Sequence, residues 1–250
     1  MGIPSLDISI PSVVSMEISG GYVICVTFNR LNAPSLVDVT LDYPMNSAEL
    51  HNDFDVSLQD VLYEPLLEKL NHVEQLTLGS WFIQALSRLE LKGLSSPLSN
   101  QRKCLTVTMD FEKWCLYGVA NLLRSSPNLE KLVIKVTSRR NYYELDEEEL
   151  ETLQNVEENF WEADERSFEC LLKCLKSVEI VGLKPLHREE DGVLYGFVEF
   201  ILGSAMVLER MLLVTEKCSN SEETGKILVP PEFVLSFLPR SSPHALLLFA

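Results

Sequence analysis

The chain has 250 residues, of which 46% are hydrophobic, so it can bury a core as one large domain or two small ones. Its 37 acidic side chains outnumber its 21 basic ones, and the net charge of −16 argues against a nucleic-acid partner or an anionic membrane surface. Neither a membrane-spanning helix nor a secretory signal is predicted, because the longest charge-free stretch has 13 residues and the first 29 residues contain no Lys or Arg.

A short strand-like motif recurs along this chain, in which 42 residues are leucine. The motif has an apolar first position and two further apolar positions, the fourth and the sixth, with a mostly polar residue between them. This period of two is typical of a strand with one buried face. Clear copies begin at Val73, Leu129 and Leu175, and weaker copies begin at Val13, Leu36, Arg102 and Leu208. They predict seven strands, centred near Met16, Val39, Leu76, Thr106, Leu132, Val178 and Leu212.

The segments between these copies predict helices. Successive copies start 23 to 46 residues apart, which leaves room for a strand and a return segment. Apolar residues with helical spacing occur in 58–70, 119–123, 168–175 and 194–202, and Pro231 suits the first turn of a short helix over 231–237. Repeated alternation of strand and helix predicts an α/β fold, a curved parallel sheet with helices on its convex side.

An acidic segment interrupts the repeat pattern. From Glu144 to Glu169 there are 12 acidic residues against the single Arg166. Like charges at this density resist collapse, so we expect an exposed, partly ordered insertion. Two interpretations stay open, a solvated loop or an acidic docking surface for a basic partner.

No motif for catalysis, a cofactor or a metal is found in the sequence. The glycine-rich phosphate loop, the G-x-S-x-G elbow and the H-E-x-x-H pair are all missing. The six cysteines form no C-x2-C pair, and the four histidines are scattered. We therefore predict buried, reduced thiols, no cofactor and no enzymatic activity.

The segments from Cys104 onward occur in a distinctive order. The strand Cys104–Thr108, the helix Gly118–Arg124 and the run Ser125–Ile134 resemble the leucine-rich repeats of plant F-box/LRR proteins. The sequence beyond Ile134 resembles the FBD domain that closes many of those proteins. The matching parts are, in order, Phe160–Glu162, Cys170–Gly182, Phe197–Met211 and Leu238–Ser242.

This resemblance implies an irregular leucine-rich-repeat solenoid closed by an FBD-like C-terminal region. It divides the chain into irregular repeats (1–143), the acidic insertion (144–169) and an FBD-like region that continues the solenoid (170–250). In this family an F-box docks on the Skp adaptor of a cullin ubiquitin ligase, and the repeats hold the target. Since no F-box-like segment precedes the repeats, we expect no direct binding to a Skp adaptor.

The predicted function is a non-catalytic interaction module for a protein target, placed inside the cell in the cytoplasm or nucleus. Side chains between the inward-facing strand positions would form the concave binding face. The candidates are Gln75, Thr77, Thr106, Thr108, Lys131, Val133, Ser177, Glu179, Arg210 and Leu212, with Ser15, Glu17, Asp38 and Thr40 at the first two strands. Two alternatives stay open: a truncated or independent repeat scaffold with no ubiquitin-ligase role, and, more remotely, an enzyme without a recognisable motif.

Overall fold

The computed structural model describes residues 5–20, 27–42, 66–91, 93–112, 114–137, 168–183, 192–215 and 238–250. This part of the chain contains ten strands: β1 (Ser5–Ser9), β2 (Ser15–Ser19), β3 (Thr27–Asn32), β4 (Asp38–Asp42), β5 (Gln75–Leu78), β6 (Cys104–Met109), β7 (Lys131–Val136), β8 (Ser177–Leu183), β9 (Arg210–Thr215) and β10 (Leu246–Phe249). Its helices are α1 (Ser80–Leu91), α2 (Cys115–Arg124), α3 (Glu169–Lys173) and α4 (Gly192–Ser204).

Eight of these strands form one continuous parallel sheet. Its order is β2-β4-β5-β6-β7-β8-β9-β10, so strands from consecutive motif copies lie side by side. All seven predicted strands and their parallel pairing are confirmed. Parallel neighbours require crossovers long enough to return to the same end of the sheet, and the spacing of the motif copies provides that length.

The N-terminal crossover contains a strand, whereas the other crossovers carry the predicted helical patterns. β1 and β3 pair in parallel as a separate two-stranded sheet, and the Ile10 amide extends this pairing by donating to the Asn32 carbonyl at 2.9 Å. Two features explain the difference. The interval of 23 residues is the shortest between copies, and the run Val23–Phe28 is rich in the β-branched and aromatic residues that favour strands.

The last strand, β10, was not predicted. It pairs with β9 along its whole length, from Leu246 opposite Arg210 to Phe249 opposite Leu213. Its sequence, Leu-Leu-Leu-Phe, has no polar residue between the apolar positions. The alternation that identified the other strands is therefore missing, although one face of β10 is exposed in the same way.

The core lies between the sheet and the helices. The inward positions of the central strands are fully buried, among them Val39, Leu76, Leu105, Leu132 and Ile180. They share a single hydrophobic cluster with the apolar sides of the helices, including the predicted stripes Val119, Leu122 and Leu123 of α2 and Leu194, Phe197, Val198, Ile201 and Leu202 of α4. Burial of this apolar surface is the main term that stabilises the fold. None of the described helices combines the length and apolarity that crossing a bilayer demands.

The helices α1 and α2 approach closely at Gly118. A Cβ atom at this glycine would overlap the carbonyl oxygen of Ile83 and the hydroxyl of Ser87. The Ser87 hydroxyl donates to the Ile83 carbonyl at 2.8 Å and accepts the Gly118 amide at 2.9 Å. A glycine is therefore required where the two helix backbones meet.

Several sequence predictions lie outside the described residues. They are the first part of the helix over 58–70, the helix over 231–237, and the acidic segment apart from its last two residues. These predictions stay expectations.

Candidate protein-binding face

One face of the parallel sheet packs on the core, and the opposite face carries alternate side chains toward solvent. We name this opposite side the outward face. The strand register arranges its side chains in rows that cross the strands. The first row is Ser15, Asp38, Gln75, Cys104, Lys131, Ser177, Arg210 and Leu246. The second row is Glu17, Thr40, Thr77, Thr106, Val133, Glu179, Leu212 and Leu248.

The sequence-derived candidates all occupy this face, with one displaced position. Thirteen of the fourteen belong to the first two rows, but Thr108 lies one step further along β6, opposite Lys135 of β7. The first-row position on β6 belongs to Cys104, which our prediction omitted. The candidate set also missed Lys135, Val181, Val214, Leu246 and Leu248. Extending the same alternation to the ends of β7, β8 and β9 would have found the first three.

Polar contacts order the middle of the outward face. The Lys131 ammonium lies 3.3 Å from the carboxylate of Glu179. On the neighbouring strands the Arg210 guanidinium donates to the Ser177 hydroxyl at 2.9 Å. Partial burial raises the pKa of the Cys104 thiol, against an opposing effect of Lys131, so this thiol is protonated at neutral pH. These five residues lie on the four neighbouring strands β6 to β9 and make the middle of the outward face polar.

Charge and apolarity are unevenly distributed along the outward face. Its acidic residues on the first three strands are Glu17, Asp38 and Asp42, and β2, β4 and β5 contain no Lys or Arg. At the other end the exposed side chains are apolar, with Leu246 61% exposed and Leu248 43% exposed. The two ends of the face therefore differ in the partner chemistry that they would accept.

A ladder of alternating charges runs along the border where the strands begin. It consists of Glu74, Lys103, Glu130, Lys176 and Glu209, each at the second position of its motif copy. Lys103 lies 3.3 Å from the Glu74 carboxylate, and Lys176 lies 2.8 Å from the Glu130 carboxylate. The backbone hydrogen bonds follow the same repeat. The carbonyl of each of the first four ladder residues accepts two amides from the start of the next strand.

This charge ladder shifts the pKa values of its central members. The hydrogen bond and charge of Lys176 lower the pKa of Glu130, with a smaller contribution from Lys103. The hydrogen bond and charge of Glu130 in turn raise the pKa of Lys176, with a smaller contribution from Glu209. A carboxylate whose pKa is lowered in the folded state stabilises that state above its unfolded pKa. This contribution is lost as the pH falls through the lowered pKa.

A buried cation lies beneath the sheet at Arg102. Its side chain is 2% exposed, and one of its terminal nitrogens donates to the buried Ser126 hydroxyl at 3.0 Å. Burial lowers the pKa of Arg102 to about 10, so the guanidinium is charged at neutral pH. Within the described residues no carboxylate pairs with it, and its Nε has no hydrogen-bond partner. Ser126 lies two residues beyond the end of α2, whose terminal carbonyls carry partial negative charge that favours a cation.

The described residues contain few groups suited to chemistry. They hold no cluster of three histidine, cysteine or acidic side chains that could bind a metal ion. Burial is the main reason that the pKa of Cys115 is raised far above its usual range and that of Cys170 to about 12. Both thiols are protonated and buried, so neither is an activated nucleophile. Trp81 and Trp114 are buried too, and they pack in the core.

Comparison with protein families and curated proteins identifies relatives of this chain. The FBD family model matches residues 165–213, which include α3, β8, α4 and most of β9. An F-box/LRR-repeat protein from Arabidopsis thaliana is 27% identical over 219 residues, covering 84% of this chain and 44% of the relative. A second F-box/LRR-repeat protein from the same plant is 30% identical over 125 residues, covering 47% of this chain and 25% of the relative.

The match is limited in extent. The chain spans less than half the length of these two relatives. No solved structure matches the chain.

Proposed function

We propose that this chain, a relative of plant F-box/LRR/FBD proteins, is a non-catalytic module. It holds a protein target on the outward face of its sheet. The relatives are named F-box/LRR-repeat proteins, and the repeats that this resemblance implies support a protein-interaction role. The observation that carries the proposal is the outward face itself, on which eight parallel strands present aligned rows of side chains.

The finer fold assignment belongs to the same proposal. We assign the sheet and its helices to an irregular leucine-rich-repeat solenoid, with repeats over 1–143, the acidic insertion over 144–169 and the FBD-like region over 170–250. Its repeated backbone hydrogen bonds at the strand starts support this assignment. The outward face is then the concave surface on which a solenoid binds partners.

The cellular role that we propose is target recognition for a cullin ubiquitin ligase, in the cytoplasm or nucleus. The aligned rows of polar, charged and apolar side chains on the outward face support a role in recognition. An independent scaffold that binds the same target without a ligase is the second candidate. Degradation of the bound target distinguishes the ligase role from the independent scaffold.

Site-specific photo-cross-linking in plant cells tests the proposal. A photoreactive residue replaces Thr106 on the outward face, and the matched control replaces Glu199, which is exposed on α4. We expect cross-links to a target protein from the first position and not from the second. Equal cross-linking at both positions would show that the outward face is not the binding surface. If proteasome inhibition increases the amount of the target, the ligase role is supported, and if not, the scaffold is.

A further inference from the structure

We infer that the target segment is an extended peptide with basic side chains at one end and apolar side chains at the other, lying across the strands of the outward face. This inference rests on the proposed function and names the chemistry of its partner. It is based on the difference in charge and apolarity between the two ends of the outward face.

The end of the face at β2 and β4 attracts positive charge. Glu17, Asp38 and Asp42 supply three carboxylates there, and Ser19 donates to the Glu17 carboxylate at 2.8 Å. The next two strands, β5 and β6, are uncharged. With no cation on these four strands, the field at this end is negative and favours lysine or arginine on a partner.

Apart from Arg210, the outward side chains of β9 and β10 are apolar. Leu212 lies opposite Leu248, and Val214 lies opposite Val181 of β8. Leu246 and Leu248 are among the most exposed large hydrophobic side chains in the described part of the chain. Adjacent exposed apolar side chains of this kind mark a contact surface, since their burial against a partner releases water.

The basic residues of the face determine the direction of the partner. Lys135 and Arg210 lie in the half of the sheet that includes the apolar end, where they repel a basic segment. Lys131 is paired with Glu179 and contributes less. A partner with one basic and one apolar end is therefore accepted in one direction only.

The spacing of the strands sets the length of the partner segment. From β4 to β9 there are five steps in the sheet, which is about 24 Å at the usual distance of about 4.8 Å between strands. An extended peptide rises about 3.3 Å per residue, so about seven residues separate its basic group from its apolar group.

Selection from a random peptide library displayed on phage tests the inference. The library has peptides of about twelve residues, long enough to cross the face in an extended form. The full chain is the bait. We expect the enriched peptides to carry lysine or arginine toward one end and leucine, valine or isoleucine toward the other, separated by about seven residues.

Two double variants then locate the bound peptides. Asp38→Asn with Asp42→Asn is expected to weaken binding about tenfold and to reduce its salt dependence, since it removes two charges from the acidic end. Leu212→Ser with Leu248→Ser is expected to weaken binding about tenfold and to leave the salt dependence unchanged. The matched control, Glu199→Gln with Met206→Ser, changes exposed residues away from the face and should bind like the natural chain. Circular dichroism and thermal melting confirm that each variant is folded.

The possible outcomes separate this inference from the proposed function. Enriched peptides that lack the basic and apolar pattern, but that bind less well to both face variants, would overturn the inference and leave the proposed function standing. Peptides whose binding is unaffected by both face variants, or a selection that enriches nothing, would overturn the inference and count against the outward face as a binding surface.

Discussion

Arg102 occupies a position that belongs to aliphatic residues in the other central motif copies. The corresponding residues Val73, Leu129, Leu175 and Leu208 are buried in the core. Arg102 is equally buried, but it brings a charge that, among the described residues, is compensated only by the Ser126 hydroxyl and the nearby end of α2. Removing a charge from water costs several kcal/mol, which one neutral hydrogen bond does not repay.

We predict that Arg102→Met stabilises the protein. Methionine fills much of the same volume without the charge, so the free energy of unfolding should rise by about 1 kcal/mol. Urea denaturation of the two proteins measures the change. Lys173→Met is the control, because Lys173 is largely exposed and its replacement should alter stability by less than about 0.5 kcal/mol. A loss of stability in Arg102→Met would show that the cation is better compensated than its contacts indicate.

The contact between α1 and α2 makes a second prediction, at the level of elements. Gly118→Ala places a methyl group against the Ile83 carbonyl, so the helices must separate, and we expect a loss of about 1–3 kcal/mol in the free energy of unfolding. Gly196 lies inside α4 with no atom near its hypothetical Cβ. There the same change should stabilise the protein by about 0.5–1 kcal/mol, because alanine is the better helix former.

Chemical denaturation of both alanine variants checks this pair. Equal stability changes at Gly118 and Gly196 would mean that helix propensity alone acts at Gly118, and that the close approach of the two helices is not required.

The elements differ in how far the sequence could reveal them. Strands with one buried face, such as β5 and β6, are marked by alternation, and all seven of that kind were predicted with their order. β10 was missed because its four residues are all apolar, and β3 because it lies between two motif copies, where no strand motif was found. The buried position of Arg102 could not be predicted, since a charged residue at a core position contradicts the pattern itself. On the outward face, periodicity located most of the candidate residues, whereas the uneven distribution of charge appears only when the strands are set in register.

At the first edge of the eight-stranded sheet, no strand of the described part of the chain pairs with the outer side of β2. Met16 and Ile18 of β2 are half-buried, whereas their neighbours Val39 and Leu41 on β4 are completely buried. Beside β2, Val14 is 57% exposed. Ile8 and Ile10, by contrast, pack against the core. An uncovered edge with exposed apolar residues invites pairing with another chain.

We predict that Val14→Lys reduces self-association without loss of fold. The substitution keeps the Val14 carbonyl, which accepts two amides from β4 and its preceding residue. Analytical ultracentrifugation should show a monomer up to a higher concentration than for the natural chain. Leu98→Lys, at a site 58% exposed and distant in sequence from the edge, is the control and should have no such effect.

Hydrogen exchange gives an independent measurement of the same edge. The amides of β2 should exchange faster than those of β7, which has paired strands on both sides. Equal protection of the two strands in a strictly monomeric sample would show that the edge is covered.

The charge ladder restricts how the number of strand–helix units can change through duplication or deletion. Its signs alternate from one strand–helix unit to the next, so the pattern repeats only after two units. A duplication or deletion of one unit within Glu74 to Glu209 would bring two like charges together at the new junction, where they repel. A change by two adjacent units would preserve every attractive pair. The ladder therefore favours changes in the number of units by even steps.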